Sequence, residues 1–406
     1  MPKALFFNVP AHGHVNPSLP LVAELTKRGH HIIYFITENF RAKVEAVGAE
    51  FRPYVTIDDD YFSGPGLNGT RPQFAAHWLI TTTGEVLPEL LEAARRVQPD
   101  YILYDGMCPW GYMVAKILGL PAVESLSLMA FGTPPISAML KWDVMRPMMN
   151  MVRRDFSKGL AANRLSQALG KQYDVRPLGM MEILSAPADL AISYTSKAYQ
   201  PYADTVGDHI RFVGRTVSDA PTDSSFSFEQ VNGRRLVYIS LGTLANEDAS
   251  FFRTCIEAFS GTDDYVIMST GNRLDPKSFG TLPENIAIYS WVPQFDVLKR
   301  ASLFVSHAGL NSVHDGLYFG VPLLLVPQQD EQEINAYRVV ELGAGLMLRK
   351  SQVNVEAIKA NAARLLSDSR FKDEAKRIGE TLRAAGGMPR AADEIEAFLG
   401  KHVKVH

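Results

Sequence analysis

Leu303-Phe304-Val305-Ser306-His307-Ala308-Gly309-Leu310-Asn311-Ser312-Val313-His314-Asp315 reads as a strand, a tight turn and the start of a helix. The apolar run Leu303 to Ser306 has strand length. In the turn from His307 to Gly309, a residue without Cβ lets backbone approach a ligand closely. Asn311 or Ser312 then offers an N-cap for a helix running through Leu317 and Phe319. A helix N-terminus presents unpaired N–H groups and a partial positive charge, which suits a phosphate. Ser312 followed by Asp315 is equally an ordinary capping box, so the turn by itself leaves both readings open.

The same pattern repeats outward from this stretch. Tyr265 to Met268, Ile286 to Tyr289 and Leu323 to Val326 are short apolar runs separated by helical patterns, as in a parallel-sheet domain. Leu236 to Ser240 opens that domain, and Leu241-Gly242-Thr243 follows at its carboxyl end. Before it, 216–230 (TVSDAPTDSSFSFEQ) has the composition of a linker.

The first half carries the pattern too. Ala4 to Val9 is a buried-strand run, followed by the loop Pro10-Ala11-His12-Gly13-His14-Val15. Asn16 is placed to cap a helix, Pro17 to sit in its first turn, and Leu21, Val22 and Leu25 to share one face. His31 to Ile36 supplies the next strand, giving a β-loop-α-β unit of a doubly wound sheet. Ligands of such sheets sit at the carboxyl ends of strands, where His12, Gly13 and His14 lie. Tyr101 to Tyr104 starts a second unit and puts Asp105 at another such end, which permits a His14–Asp105 contact. A histidine held by a carboxylate has a fixed tautomer and a stabilised cation, the properties of a general base. Taken singly, a backbone-bonded loop histidine and a turn aspartate explain the same two residues.

Composition narrows the class. The chain has 406 residues, 46% hydrophobic and 21% charged, with a formal charge of −3. At ~150 residues per domain that length predicts two or three domains. The charge balance argues against nucleic acid as the main partner. Two cysteines far apart, Cys108 and Cys255, suggest neither a disulfide framework nor a metal site. No run approaches ~18 apolar residues, so no membrane insertion is expected, and the chain reads as cytoplasmic. Asp58-Asp59-Asp60 contains the Asp-x-Asp pattern that can hold a divalent metal, but it leads into a glycine-rich stretch without strand context; no metal is expected there. No G-x-G-x-x-G follows a strand, which weakens a nicotinamide or flavin reading.

Trp291-Val292-Pro293-Gln294, Ser306 to Ser312, Asp315, Gly320-Val321-Pro322 and Glu331-Gln332, in this order and spacing, resemble the donor-binding signature of family 1 nucleotide-sugar glycosyltransferases. The variant is most similar to the bacterial macrolide-glycosyltransferase branch. The resemblance implies an α/β protein of the GT-B class, with two Rossmann-like parallel-sheet domains facing across a cleft. It divides the chain into an acceptor domain (1–215), a linker (216–230), a nucleotide-sugar domain (231–388) and a C-terminal helix (389–406) returning toward the N-terminal domain. His14 would be the catalytic base and Asp105 its orienting acid. Trp291 would stack on the base of a UDP-sugar, the Val292 backbone would pair with uracil, and Gln294 and Asp315 would meet the ribose. Gly13, Gly242, Thr243, His307, Gly309, Asn311 and Ser312 would lie by the phosphates and sugar, with Glu331 and Gln332 on sugar hydroxyls.

The acceptor pocket is expected among the apolar N-terminal residues, with Trp78, Phe131, Trp142 and Met145 as candidates. The implied activity is inverting, metal-independent O-transfer of a hexose from UDP-glucose to flavonoids, phenolics or macrolides, with no cofactor beyond that co-substrate. Leu310 stands where plant relatives carry Trp, Asp315 where they carry Glu, and Glu331 where they carry Asp, which leaves the sugar and the choice of uridine over thymidine open. A nucleotide-sugar epimerase and a UDP-sugar-binding protein are the rival classes.

Overall fold

The computed structural model describes residues 1–63, 72–130, 132, 156–215, 217, 226–242, 248–271 and 273–402. The chain forms two compact units, Met1–Gly214 with Ala385–His406, and Arg215–Ala384. The unit boundaries thus fall at Gly214/Arg215 and Ala384/Ala385, slightly ahead of both expected ones.

The first unit holds a seven-stranded sheet in the order β3-β2-β1-β4-β5-β6-β7. Its strands are β1 (Lys3–Phe7), β2 (His31–Phe35), β3 (Glu50–Arg52), β4 (Tyr101–Asp105), β5 (Ala122–Leu126), β6 (Leu190–Ser193) and β7 (Ile210–Phe212). All pairings are parallel. Parallel strands covered on both faces must be apolar on both, and β1 shows this. Leu5 and Phe7 join one buried cluster, while Ala4 and Phe6 join another on the opposite face. The C-terminal helix Gly387–His402 belongs to that second cluster through Met388, Ala391, Ala392, Ile395 and Leu399.

The second unit repeats the scheme with six parallel strands in the order β10-β9-β8-β11-β12-β13. These are β8 (Leu236–Ser240), β9 (Tyr265–Ser269), β10 (Ile286–Tyr289), β11 (Ala301–Ser306), β12 (Leu323–Leu325) and β13 (Gly345–Met347). In both units the order reverses at one place, between β1 and β4 and between β8 and β11. That reversal leaves a crevice at the carboxyl edge, because the helices following the two strands pass to opposite faces. The register puts Phe7 beside Tyr104 and Ser240 beside Ser306. The segments of interest therefore leave the sheets side by side.

Two helix starts differ from the sequence reading. The first helix spans His12–Lys27, so Asn16 and Pro17 lie inside it. The amides of His14 and Val15 already donate to the Ala11 carbonyl. Pro17 is accommodated because the bond it cannot make is to a residue in the first turn. The helix after β11 spans Leu310–Tyr318, with Gly309 at the N-cap and no side-chain cap. Asn311 and Ser312 thus sit in the first turn. Asp58 caps a short helix, its carboxylate accepting from the Tyr61 amide at 2.9 Å. No helix among the described residues is long and apolar enough to cross a membrane.

Candidate active site

The switch point of the first unit brings His14 and Asp105 together. His14 lies in the first helical turn after β1, and Asp105 is the last residue of β4. His14 Nδ1 is 2.9 Å from Asp105 Oδ1 and 3.0 Å from Oδ2. The Asp105 side chain is fully buried and that of His14 is 14% exposed. An ionised carboxylate can only accept, so it fixes the ring proton on Nδ1 and leaves Nε2 as the basic nitrogen.

A third residue, which the sequence reading missed, completes this cluster. Ser127 Oγ donates to Asp105 Oδ2 at 2.7 Å and lies 2.7 Å from His14 Nδ1. The Met107 amide donates to Asp105 Oδ1 at 2.9 Å. Ser127 follows β5, the neighbour of β4, so the rule that ligands gather at strand carboxyl ends could have found it. On β5 itself, beside Tyr104, Glu124 is buried and its carboxyl pKa is pushed up to about 8, chiefly by desolvation.

In the second unit, the turns after β8 and β11 meet at the other switch point. Gly242 has φ +74°, and a Cβ there would overlap the His307 imidazole. A Cβ on Gly309 would overlap the same ring from another side. Both glycines are therefore required by the packing of the histidine. Ala308, between His307 and Gly309, has φ +66°, a left-handed conformation uncommon without glycine. It is held by Asn335, whose Nδ2 donates to the Ala308 carbonyl at 3.0 Å and to Glu331 Oε1 at 2.7 Å. Burial lowers the His307 pKa to about 4, so the ring is neutral near pH 7. Its Nδ1 is buried without a hydrogen-bond partner among the described residues. Positive potential in this turn thus comes from the helix N-terminus, not from His307.

The capping-box reading of Asp315 gives way to a longer-range contact. Asp315 Oδ1 accepts from Arg215 Nε at 2.8 Å, and Oδ2 accepts from Gln294 Nε2 at 2.8 Å. Burial raises the Asp315 carboxyl above its ordinary range, and Arg215 followed by Gln294 opposes this. Gln294 is held in turn by the Tyr238 hydroxyl at 3.2 Å. Arg215 carried no signal in the sequence, because a single arginine beside a polar segment names no partner.

Trp291 is 65% exposed, an unusual position for an indole, while Val292 beside it is buried. Gln332 is buried and accepts from the Gln328 amide at 2.9 Å. In the first unit, Gly13 lies in the same first helical turn as His14. Trp78 is partly buried against Tyr61, ring centroids 5.5 Å apart. Thr243, Phe131, Trp142 and Met145 lie outside the described residues, as does most of 216–230.

The chain is 35% identical over 397 residues to the NDP-glycosyltransferase YjiC of Bacillus licheniformis, covering 97% of this chain and 96% of that protein. The chain belongs to this glycosyltransferase family. The glycosyltransferase is also 30% identical over 396 residues to the oleandomycin glycosyltransferase of Streptomyces antibioticus, with 97% and 90% of the two chains covered. Residues 253–396 match the family described as Erythromycin biosynthesis protein CIII-like, C-terminal domain. Among solved structures, a calicheamicin glycosyltransferase superposes with a TM-score of 0.84 at 31% identity, over 98% of each chain. The two parallel-sheet units are those of the GT-B fold.

Proposed function

We propose that the enzyme is an inverting, UDP-sugar-dependent O-glycosyltransferase that moves a hexose, with glucose the first choice, to small hydroxylated apolar acceptors. Macrolides, flavonoids and simple phenols are the classes to try. The observation that carries this reading is the buried Asp105 on His14 Nδ1, which commits Nε2 to taking a proton. As the acceptor oxygen attacks the anomeric carbon, its proton passes to Nε2 and the bond from that carbon to the diphosphate oxygen breaks. The electron pair leaves on UDP, and a single displacement inverts the configuration. Asp105 stabilises the imidazolium formed, worth about 10²–10⁴-fold in rate for such a base.

Charge on the leaving diphosphate is met by the N-terminus of the helix Leu310–Tyr318, with Gly242, His307, Gly309, Asn311 and Ser312 around it. Exposed Trp291 offers a face for the base and the Val292 backbone its edge; Asp315 and Gln294 receive the ribose, and Glu331 and Gln332 the sugar. In the first unit, Trp78 is read as belonging to the acceptor pocket. Because the helix terminus supplies the positive potential, we read the reaction as independent of metal and of any cofactor. Two unpaired buried cysteines suit a cytoplasmic setting.

The test is to incubate the purified enzyme with UDP-glucose and an acceptor panel, EDTA present, and to read products by mass spectrometry. Gain of one hexose on an acceptor is expected. Product only after divalent metal is restored would refute metal independence. Failure with UDP-glucose but transfer from another nucleotide sugar would refute the donor.

A further inference from the structure

Asp315 is a carboxylate buried in the helix that follows β11, with a cation on one oxygen and an amide on the other. The guanidinium of Arg215 and the carboxylate of Asp315 are 11% and 4% exposed. A surface ion pair of this kind would mean little, but a buried one fixes which protonation state its partner adopts. Arg215 Nη1 also approaches Asn311 Oδ1, at 3.5 Å, in the first turn of the helix that carries Asp315. One arginine therefore contacts two residues of the donor motif from a segment outside that motif.

We propose that Arg215 is a positioning residue for donor specificity: it keeps Asp315 ionised and oriented to accept hydrogen bonds from a ribose diol. This rests on the reading of Asp315 as the ribose residue. An ionised carboxylate accepts only, so with each oxygen already taking one hydrogen bond, its remaining lone pairs are open to hydroxyl donors. Such a group favours a nucleotide that offers both hydroxyls over one lacking the 2′-hydroxyl. Without the arginine, burial would leave Asp315 partly protonated. A protonated carboxyl has less acceptor capacity and would discriminate less.

The titratable groups near this ion pair, Tyr238 by Asp315 and His314 by Arg215, support this division of labour. Tyr238 is a buried phenol whose pKa is raised, chiefly by desolvation, and His314 is held neutral, its pKa lowered to about 3 by burial and then by Arg215. Gln294 carries no charge. Among the described residues, Arg215 is thus the one ion paired with this carboxylate.

The experiment is calorimetric titration of UDP and 2′-deoxy-UDP at pH 6 and pH 8, on the full enzyme and on Arg215→Met, Arg215→Gln and Asp315→Asn. The unaltered enzyme should prefer UDP by about 10- to 100-fold, the range of a hydrogen bond to a charged group, with little change between the two pH values. Both Arg215 variants should lose most of that preference and bind UDP more weakly at pH 6 than at pH 8. Asp315→Asn should lose the preference with no pH dependence. A wild-type preference and a flat profile in the Arg215 variants, with the preference lost in Asp315→Asn, would overturn the proposal alone. An intact preference in Asp315→Asn would overturn the ribose reading beneath it. Either Arg215 variant suffices should the other fail to fold.

Discussion

Replacing Asp105 by Asn keeps the shape of a fully buried side chain but turns one of its two acceptor atoms into a donor. The orientation of the new amide follows from its neighbours. The Met107 amide, 2.9 Å from Oδ1, needs an acceptor, so the asparagine oxygen takes that place. The amide nitrogen then occupies the Oδ2 position, 3.0 Å from His14 Nδ1 and 2.7 Å from Ser127 Oγ. The oxygen stays 2.9 Å from Nδ1, but the N–H now facing the same nitrogen disfavours a proton there and pushes the ring proton toward Nε2. The nitrogen that should receive the acceptor's proton is then already occupied, and the anion that would stabilise an imidazolium has gone. We expect kcat to fall by roughly 10³–10⁴-fold, about 4–5.5 kcal/mol of barrier. The assay is steady-state transfer to a phenolic acceptor, with UDP affinity from calorimetry and a melting curve on the same preparation. Affinity for UDP should stay within about twofold, since the donor motif belongs to the other unit. A folded variant retaining more than a tenth of the native kcat would refute the assignment of Nε2 as base.

Ser127→Ala removes a hydrogen bond to a charged group, so kcat should drop by about 10- to 100-fold and recover in Ser127→Thr, with UDP binding unchanged by calorimetry. Gly242→Ala forces a left-handed alanine, costing about 1–2 kcal/mol, and pushes the His307 ring aside. It should lower the melting temperature and weaken UDP binding; a melting curve and affinity like those of the native enzyme would contradict the packing described. Glu124 titrates at about 8 in the fold against 4.5 ordinarily, so the unfolded chain releases this proton first as pH rises. Its contribution is complete below about pH 4.5 and is lost as pH climbs toward 8. Glu124→Gln should therefore stabilise the enzyme more at pH 8 than at pH 5 in thermal melts; equal shifts at both would show that Glu124 is ionised throughout.

The strands were legible because burial on both faces writes a continuous apolar run, as in Ala4 to Val9 and Leu303 to Ser306. Residues at their carboxyl ends, His14 and Asp105 among them, followed from topology alone. Helix starts were less legible. Proline at 17 and asparagine at 311 are both favoured near an N-terminus, yet each lies within a helix whose first bonds are made by the backbone. The partner of Asp315 was hidden for a related reason: spacing from Ser312 also allows a local cap, whereas Arg215 is 100 residues away. Burial of a charge by a distant partner leaves no mark on local periodicity. Ser127 was hidden by its ordinariness, since a serine after a strand acquires meaning only when the neighbouring strand ends in an aspartate.

The first unit is assembled from two stretches that flank the second unit in sequence. Met388, Ala391, Ala392, Ile395 and Leu399 fill a cluster that also holds Phe6, Tyr34 and Leu103. During synthesis, that cluster stays open on one flank until residues 387–402 have left the ribosome, while the contiguous stretch 215–384 can close first. Order of emergence and order of completion are therefore reversed for the two halves of the enzyme. A nascent chain stalled, or clipped by a protease, just past residue 384 would carry a finished second unit and a first unit whose β6 and first helix lack the helix that packs on them. Such a fragment should stick to chaperones and precipitate rather than survive as a binding domain. Removing the final helix to shorten an expressed protein would thus disable the half that holds His14, more than three hundred and fifty residues upstream.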